Sequence, residues 1–132
     1  MASHLLSPWG MKPQDLRQRL ERFADGVVAL CRSIAHDPLQ LRLLLQLQDA
    51  ATSAAANYRA ACRAQTRPMF VSKLSVALEE ADEATYWLER LACNRVGHPE
   101  AVETLRQEAH ELSAILNASR RTAAGSGRKR RA

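Results

Sequence analysis

Residues Gln48–Leu91 constrain this chain most; they read QDAATSAAANYRAACRAQTRPMFVSKLSVALEEADEATYWLERL. The first half presents a helical face made almost wholly of alanine, with one amide, Asn57, set into it. The second half is an apolar helical stripe that carries a dense acidic run, Glu79, Glu80, Asp82 and Glu83. Small side chains let a second helix approach closely, because the distance between packed helices follows the side chains at their contact. A polar group in such a seam needs a partner, since burying it unpaired costs about 1–3 kcal/mol. Asn57 can set register between helices, as a lone seam asparagine does in coiled coils. It can also bond within its own bundle, to Glu83 or to a backbone carbonyl, and this is the expectation here.

The rest of the chain repeats the helical pattern. Leu16, Leu20, Phe23, Val27, Leu30 and Ile34 recur at steps of four and three after Pro13, a residue suited to a first helical turn. Asp37 and Pro38 read as the cap and first residue of a second helix, whose seam is Leu43, Leu47, Ala50, Ala54, Asn57 and Ala61. Leu44, Ala51, Tyr58 and Cys62 widen its apolar face enough for contacts on two sides. Thr66 caps a third helix with Phe70, Leu74, Ala77, Ala81, Ala84, Leu88 and Leu91 in line. Gly97 suits the residue just past its end, and Pro99 opens a fourth helix with Val102, Leu105, Ala109, Leu112 and Leu116. No strand alternation occurs. The expected fold is all-α, an antiparallel up-down-up-down four-helix bundle with helices over about 13–36, 38–64, 67–96 and 99–120. Residues 1–12 are expected to be a disordered N-terminus, and 121–132 a disordered basic tail, on the strength of Gly125-Ser126-Gly127 followed by Arg128, Lys129, Arg130 and Arg131.

Composition narrows the chemistry. At 132 residues the chain makes one domain, able to bury a core without disulfides or metals. Its three cysteines, Cys31, Cys62 and Cys93, form no C-x-x-C pair and read as reduced thiols of a cytoplasmic protein. The start lacks a basic segment followed by a sustained apolar run, and no stretch is apolar for long enough to span a membrane. The net charge of +5 is uneven: residues 12–73 carry 10 basic and 5 acidic groups, and residues 74–118 carry 3 and 9. Everything from 119 onward is basic or neutral. Such asymmetry suits complementary contacts between subunits or an interaction surface.

Candidate sites follow from these patterns. A di-iron bundle needs Glu on two helices and Glu-x-x-His on two others, and none of the four histidines follows a Glu by three. No G-x-S-x-G and no Gly-rich phosphate loop occurs, so no enzyme, cofactor or small-molecule substrate is indicated. Arg59, Arg63, Arg67 and Lys73 surround the connection between the second and third helices and can form a phosphate-binding patch beside Tyr58, or an ordinary solvated helix end. The tail's Arg128, Lys129, Arg130 and Arg131 can hold RNA or DNA without reading its sequence, or simply aid solubility. Tyr86 and Trp87 flank the third seam and fit a subunit interface or the bundle edge.

The segments AATSAAANYRAACRA and FVSKLSVALEEADEATYWLERL resemble the bacterial four-helix family encoded in intervening sequences of 23S rRNA genes, to which the accessory variability protein of diversity-generating retroelements is related. Ser53 and Asn57 match the family's S-I-x-x-N-I-A-E-G motif; Phe70, Ala77, Leu78 and Glu83 match the stretch that follows it. The motif's usual Glu is replaced here by Ala60. The resemblance covers residues 14–120. It implies a cyclic homo-oligomer, a pentamer of bundles, associated with nucleic acid and without established enzymatic activity. A head-to-tail ring uses two different patches, which suits a basic half meeting an acidic half.

Overall fold

The computed structural model describes residues 11–35 and 37–131, with side chains as far as 125. It contains four helices, α1 (Pro13–Ser33), α2 (Pro38–Cys62), α3 (Arg67–Cys93) and α4 (Pro99–Arg131), and no strand among the described residues. Each start uses the proline the sequence provides. The Asp37 carboxylate accepts the Gln40 N–H at 2.8 Å, and the Thr66 hydroxyl accepts the Met69 N–H at 3.3 Å. Both side chains satisfy donors that a helix leaves open in its first turn.

The α3 end departs from expectation. The left-handed residue is Arg95, with φ 56°, and not Gly97. Val96 N–H bonds back to the Leu91 carbonyl at 2.9 Å and Arg95 N–H to the Ala92 carbonyl at 3.2 Å, the paired bonds of a Schellman turn. Val96 is then buried against the core. Gly97 is the next residue with positive φ, at 84°, and a side chain there would come within 3.0 Å of Ile34 Cδ1. The glycine thus turns the chain toward α4 where both conformation and space forbid a larger residue.

The core is a single cluster drawn from all four helices. All seven seam positions of α3 are buried. On α2 the buried face is centred on Leu44, Leu47, Ala51, Ala54, Tyr58 and Ala61, so Leu43 and Asn57 fall at its half-buried margin. Residues meet most densely across α2 and α3, where the alanines lie, and least densely across α1 and α4. That thin seam is spanned by Arg19, whose Nε and Nη2 donate to the two Glu108 carboxylate oxygens at 2.8 and 2.7 Å and which also reaches Glu111 at 2.9 Å. The paired carboxylates, Glu108 foremost, hold the guanidinium firmly in its charged form.

The side-chain pairs fix which residues lie at one level. Arg19 meets Glu108, and Gly26 lies against Leu105. Cys31 Sγ faces the Leu44 carbonyl at 3.8 Å. Arg120 Nε donates to Ser75 Oγ at 3.0 Å, and Arg67 Nη1 donates to the Ala123 carbonyl at 3.0 Å.

This last bond changes the C-terminal boundary. The region expected to be a disordered tail from 121 instead continues α4 to Arg131. The seam of Ala109, Leu112 and Leu116 runs on to Ala123, which is buried, and alanine favours the helix there. The expected disordered N-terminus lies outside the described residues for positions 1–10; Met11 packs against the core.

Two buried acids make the fold sensitive to alkali. Burial pushes the Cys31 thiol from its ordinary 9.0 up to about 11. Burial and then Cys62 push the Tyr58 phenol upward as well. Both groups are therefore folded in their protonated, neutral forms. Above the ordinary thiol value the unfolded chain releases a proton that the native chain keeps, so stability falls as pH rises. Urea titrations from about pH 8 to pH 11 are expected to show this decline, and Cys31→Ala to reduce its earlier part, to which the Cys62 thiol, also pushed up by burial, contributes. A flat profile for the native sequence would contradict the burial of these groups.

Candidate nucleic-acid interface

The four basic residues expected to form one patch are divided by the helices that carry them. Arg67, the first residue of α3, is half-buried and donates to the Ala123 carbonyl of α4. Arg59, Arg63 and Lys73 are exposed. Arg59 shares a stripe of α2 with Ala55 and Cys62, beside α1, since Ala55 shares a cleft with Glu21, Ala24 and Asp25. Lys73 shares a stripe of α3 with Glu80, which feels the charge of Asp49 on α2. Arg59 thus lies toward α1, Lys73 lies on the stripe of Glu80, and Arg67 is engaged by α4. Tyr58 is buried and offers no ring for stacking.

The fold assembles a different cluster from segments far apart in sequence. The start of α1, the end of α2, the start of α3 and the end of α4 all lie at the same end of the bundle, as the Arg67–Ala123 bond and the short turn from Arg63 into α3 require. Residues 59–73 and 117–131 contain no acidic residue. Between α3 and α4 a cleft of about 310 Å³ is lined by Val71, Arg120, Arg121, Ala124 and Gly125. Arg120 uses one of its five donors on Ser75 and leaves the others available. Arg121 is exposed beside it. The side chains of Arg128, Lys129, Arg130 and Arg131 lie outside the described residues; their backbone continues α4 from this cleft.

Four acidic residues gather away from this cleft, on α2 and α3. Glu80 is held above the usual carboxylate range by burial and by Glu83, Glu79 and Asp49. Glu79, Glu80, Glu83 and Asp49 thus form one acidic cluster across α2 and α3.

Asn57 does not meet Glu83. Its Nδ2 donates to the Ser53 carbonyl at 2.9 Å and to the Ser53 hydroxyl at 3.1 Å, one turn back on α2. The backbone-carbonyl alternative holds, and the reason is register. Asp49 is the α2 group level with Glu80, and Asn57 is eight residues further on, roughly 12 Å along the helix. The exposed Glu83 carboxylate accepts the Trp87 indole N–H at 3.2 Å instead. Tyr86 and Trp87 stack edge to face, with ring centres 5.0 Å apart, and the Arg90 guanidinium lies 5.5 Å from the Tyr86 ring centre. Tyr86 is about half exposed, and Trp87 packs partly on the core.

A groove beside α1 and α4 carries paired charges. The groove of about 420 Å³ bounded by Met11, Arg19, Arg106, His110, Glu111 and Ile115 has both guanidinium groups already bound, Arg19 to Glu108 and Glu111 and Arg106 to Glu103. Among the described residues no group of three or more His, Cys, Asp and Glu side chains is placed to hold a metal ion. No described helix is long and apolar enough to cross a membrane.

Arg120 and Arg121 were not singled out by sequence reasoning, which counted them only as tail charge. The signal that could have found them is Ala123, one further step of the α4 seam.

Residues 12–118 match the family described as 23S rRNA-intervening sequence protein. The fold is similar to the crystal structure of a protein with unknown function from the S23 ribosomal protein family of Bacteroides thetaiotaomicron, at 30% sequence identity and a TM-score of 0.77. That similarity covers 84% of this chain and 99% of the other. Among curated proteins none matches the chain.

Proposed function

This chain belongs to the 23S rRNA-intervening sequence protein family, and on that premise we propose that it is a non-enzymatic, self-assembling helical bundle that holds nucleic acid by its phosphate backbone. The observation that carries the reading is the cleft between α3 and α4 lined by Arg120 and Arg121, beside the acid-free segments 59–73 and 117–131, from which α4 runs on into Arg128–Arg131. Such a cleft attracts polyanions without distinguishing sequence, because cations displace the counterions condensed on phosphate. The crystal-structure relative is itself described as having unknown function, so the reading stands on the chemistry of this chain.

The uneven charge of the two halves of the chain supports assembly. The level pairs support antiparallel neighbours in up-down-up-down order. A ring of copies would bring the basic half of one bundle, on α1 and α2, against the acidic cluster of the next, with Tyr86 and Trp87 at the edge of the contact. We take the ring to be a pentamer and the protein to be cytoplasmic; the three free thiols suit a reducing compartment. Repetition of a weak basic site around a ring multiplies its affinity. Light scattering on the purified protein tests the assembly, and a monomer would remove the ring.

Fluorescence anisotropy with a labelled RNA duplex and a labelled single strand tests the binding. Raising salt from about 50 to 200 mM is expected to weaken binding at least a hundredfold if four or more phosphates are contacted. Deleting residues 125–132 is expected to weaken binding while leaving a residual, salt-sensitive affinity from Arg120 and Arg121. Absence of binding at low salt would sink the nucleic-acid reading.

A protein-docking scaffold is the alternative, favoured by Leu41 and Leu45, which follow one another on the outer face of α2 and remain exposed. Leu41→Ser with Leu45→Ser would abolish capture of such a partner and leave nucleic-acid affinity unchanged.

A further inference from the structure

We propose that Tyr86 anchors a head-to-tail contact between copies of this chain, seated in the groove between α1 and α4 of the next copy. The inference deepens the assembly reading above and rests on it.

The side chain is held ready for such a contact. Tyr86 is about half exposed, on a line of α3 that also carries Glu79, Glu83 and Arg90 at steps of four and three. The Trp87 ring meets it edge to face at 5.0 Å, and the indole N–H is itself bound by the Glu83 carboxylate at 3.2 Å. The Arg90 guanidinium lies over the Tyr86 ring, 5.5 Å from its centre. A tyrosine fixed in this way loses little freedom on docking. Tyrosine and arginine are also among the residues that carry most of the energy at interfaces. The charge of Arg90 remains uncommitted: its Nη2 reaches the Cys93 sulfur at 3.6 Å, and among the described residues it makes no ion pair.

The receiving surface is a groove of about 590 Å³ that opens where α1 and α4 touch least. The buried Leu30 and half-buried Leu105 give it an apolar lining, and Gly26, Ala29 and Ala101 keep it open. Gly26 has little room to be anything larger, since a Cβ there would stand 3.2 Å from Leu105 Cδ2. An apolar lining with polar groups around it suits a phenol, whose ring is apolar and whose hydroxyl needs a partner. Glu100 also lines the groove; it is exposed and makes no ion pair among the described residues.

Height and charge match between the two surfaces. Both lie toward the end of the bundle where α1 and α3 finish and α4 begins. Counted from that end, Tyr86 stands as deep in α3 as Gly26 does in α1, and Glu83 is within one residue of the depth of Arg22. Two copies side by side in the same orientation therefore set Tyr86 level with the groove. The same placement brings Arg90 to the height of Glu100 and Glu83 to that of the exposed Arg22, which shares a line of α1 with Gly26 and Ala29. Both facing pairs are opposite in charge, the pattern that fixes register between partners. With α3 at the corner diagonal to α1, its outer line does not point directly away from the α1–α4 flank. Successive copies then turn in one sense, as a head-to-tail contact must if it is to close into a ring.

Tyr86→Ser and Ala29→Trp each remove one half of the contact. Both positions are exposed, so circular dichroism should report an unchanged fold. Light scattering reads the mass of each full-length protein at a concentration about tenfold above the native dissociation constant. Each variant is expected to associate roughly thirtyfold more weakly, and so to run as a monomer. An equimolar mixture of the two is expected to form heterodimers, because the open groove of the Tyr86→Ser chain accepts the Tyr86 of the Ala29→Trp chain. Arg90→Glu alone should also weaken assembly, and Glu100→Arg added in the same chain should restore it. If either groove or anchor variant assembles like the native chain, if the mixture stays monomeric, or if Glu100→Arg fails to rescue Arg90→Glu, the inference is overturned and the ring reading stands. If the native chain is itself a monomer, the groove belongs to another partner, and the ring reading and the inference fail together.

Discussion

Replacing Ala54 with leucine is expected to destabilise the protein by about 3 kcal/mol, at the upper end of the usual range for overpacking a dense core. Ala54 is fully buried at the centre of the α2 face, in line with Ala50 and Ala61 and beside Ala51, all with almost no exposure. The opposing α3 face is itself lined by Ala77, Ala81 and Ala84, and this is the densest helix pair in the bundle. Two backbones held this close leave no room for three more carbons without moving a helix. The shift would also disturb Tyr58, whose ring is packed one turn away. For a domain of this size the loss corresponds to a fall in melting temperature of about 10 °C. Thermal and urea unfolding followed by circular dichroism, at one fixed protein concentration, measures it. Ala56→Leu is the control, because Ala56 is exposed on the same helix, and it should change stability by about 0.5 kcal/mol or less. Equal effects at 54 and 56 would mean that the alanine face does not set the helix spacing.

The second large effect concerns binding. Converting Arg120 and Arg121 to glutamine is expected to reduce affinity for an RNA duplex about fiftyfold at about 0.1 M salt, since each phosphate pairing removed forfeits one counterion-release contribution of close to tenfold. The salt dependence should become shallower by about two in log–log slope. Both residues are exposed, and within the bundle the exchange breaks the Arg120 hydrogen bond to Ser75, so the helical signal should be unchanged. Arg32→Gln with Arg42→Gln removes the same charge near the α1–α2 turn, at the opposite end. That control should keep the native slope. If both pairs weaken binding equally, the protein attracts nucleic acid through its overall charge and has no basic end that matters.

The helices are legible wherever large apolar residues contrast with polar neighbours. In α3 the steps between Phe70, Leu74, Leu88 and Leu91 leave one possible face, and Ala77, Ala81 and Ala84 fall on it. In α2 the contrast is weak. Alanine occupies several sides of the helix, so a seam through Asn57 lies toward one edge of the true face, which turns on Tyr58 and Leu44. The Asn57–Glu83 pairing fails for a related reason, because helical spacing within one helix does not set the level at which two helices meet. Arg95 could not be foreseen as the left-handed residue with a glycine two positions later. The basic end is the least legible feature. Its cations come from positions as distant as Arg63 and Arg121, and only the levels fixed by Ser75–Arg120 and Arg67–Ala123 bring them together.

The clasp of Arg19 on Glu108 and Glu111 has a consequence for how the molecule breathes. The other three helix pairs are joined mainly by apolar burial, which salt strengthens or leaves alone, whereas the α1–α4 seam depends on an ionic bond beside a thin apolar contact. Local opening takes the path of fewest buried contacts, so α1 forms the outer cooperative unit and α2, α3 and α4 the inner one. Ionic strength then acts as a dial on the excursions of one helix while the remaining three keep their arrangement.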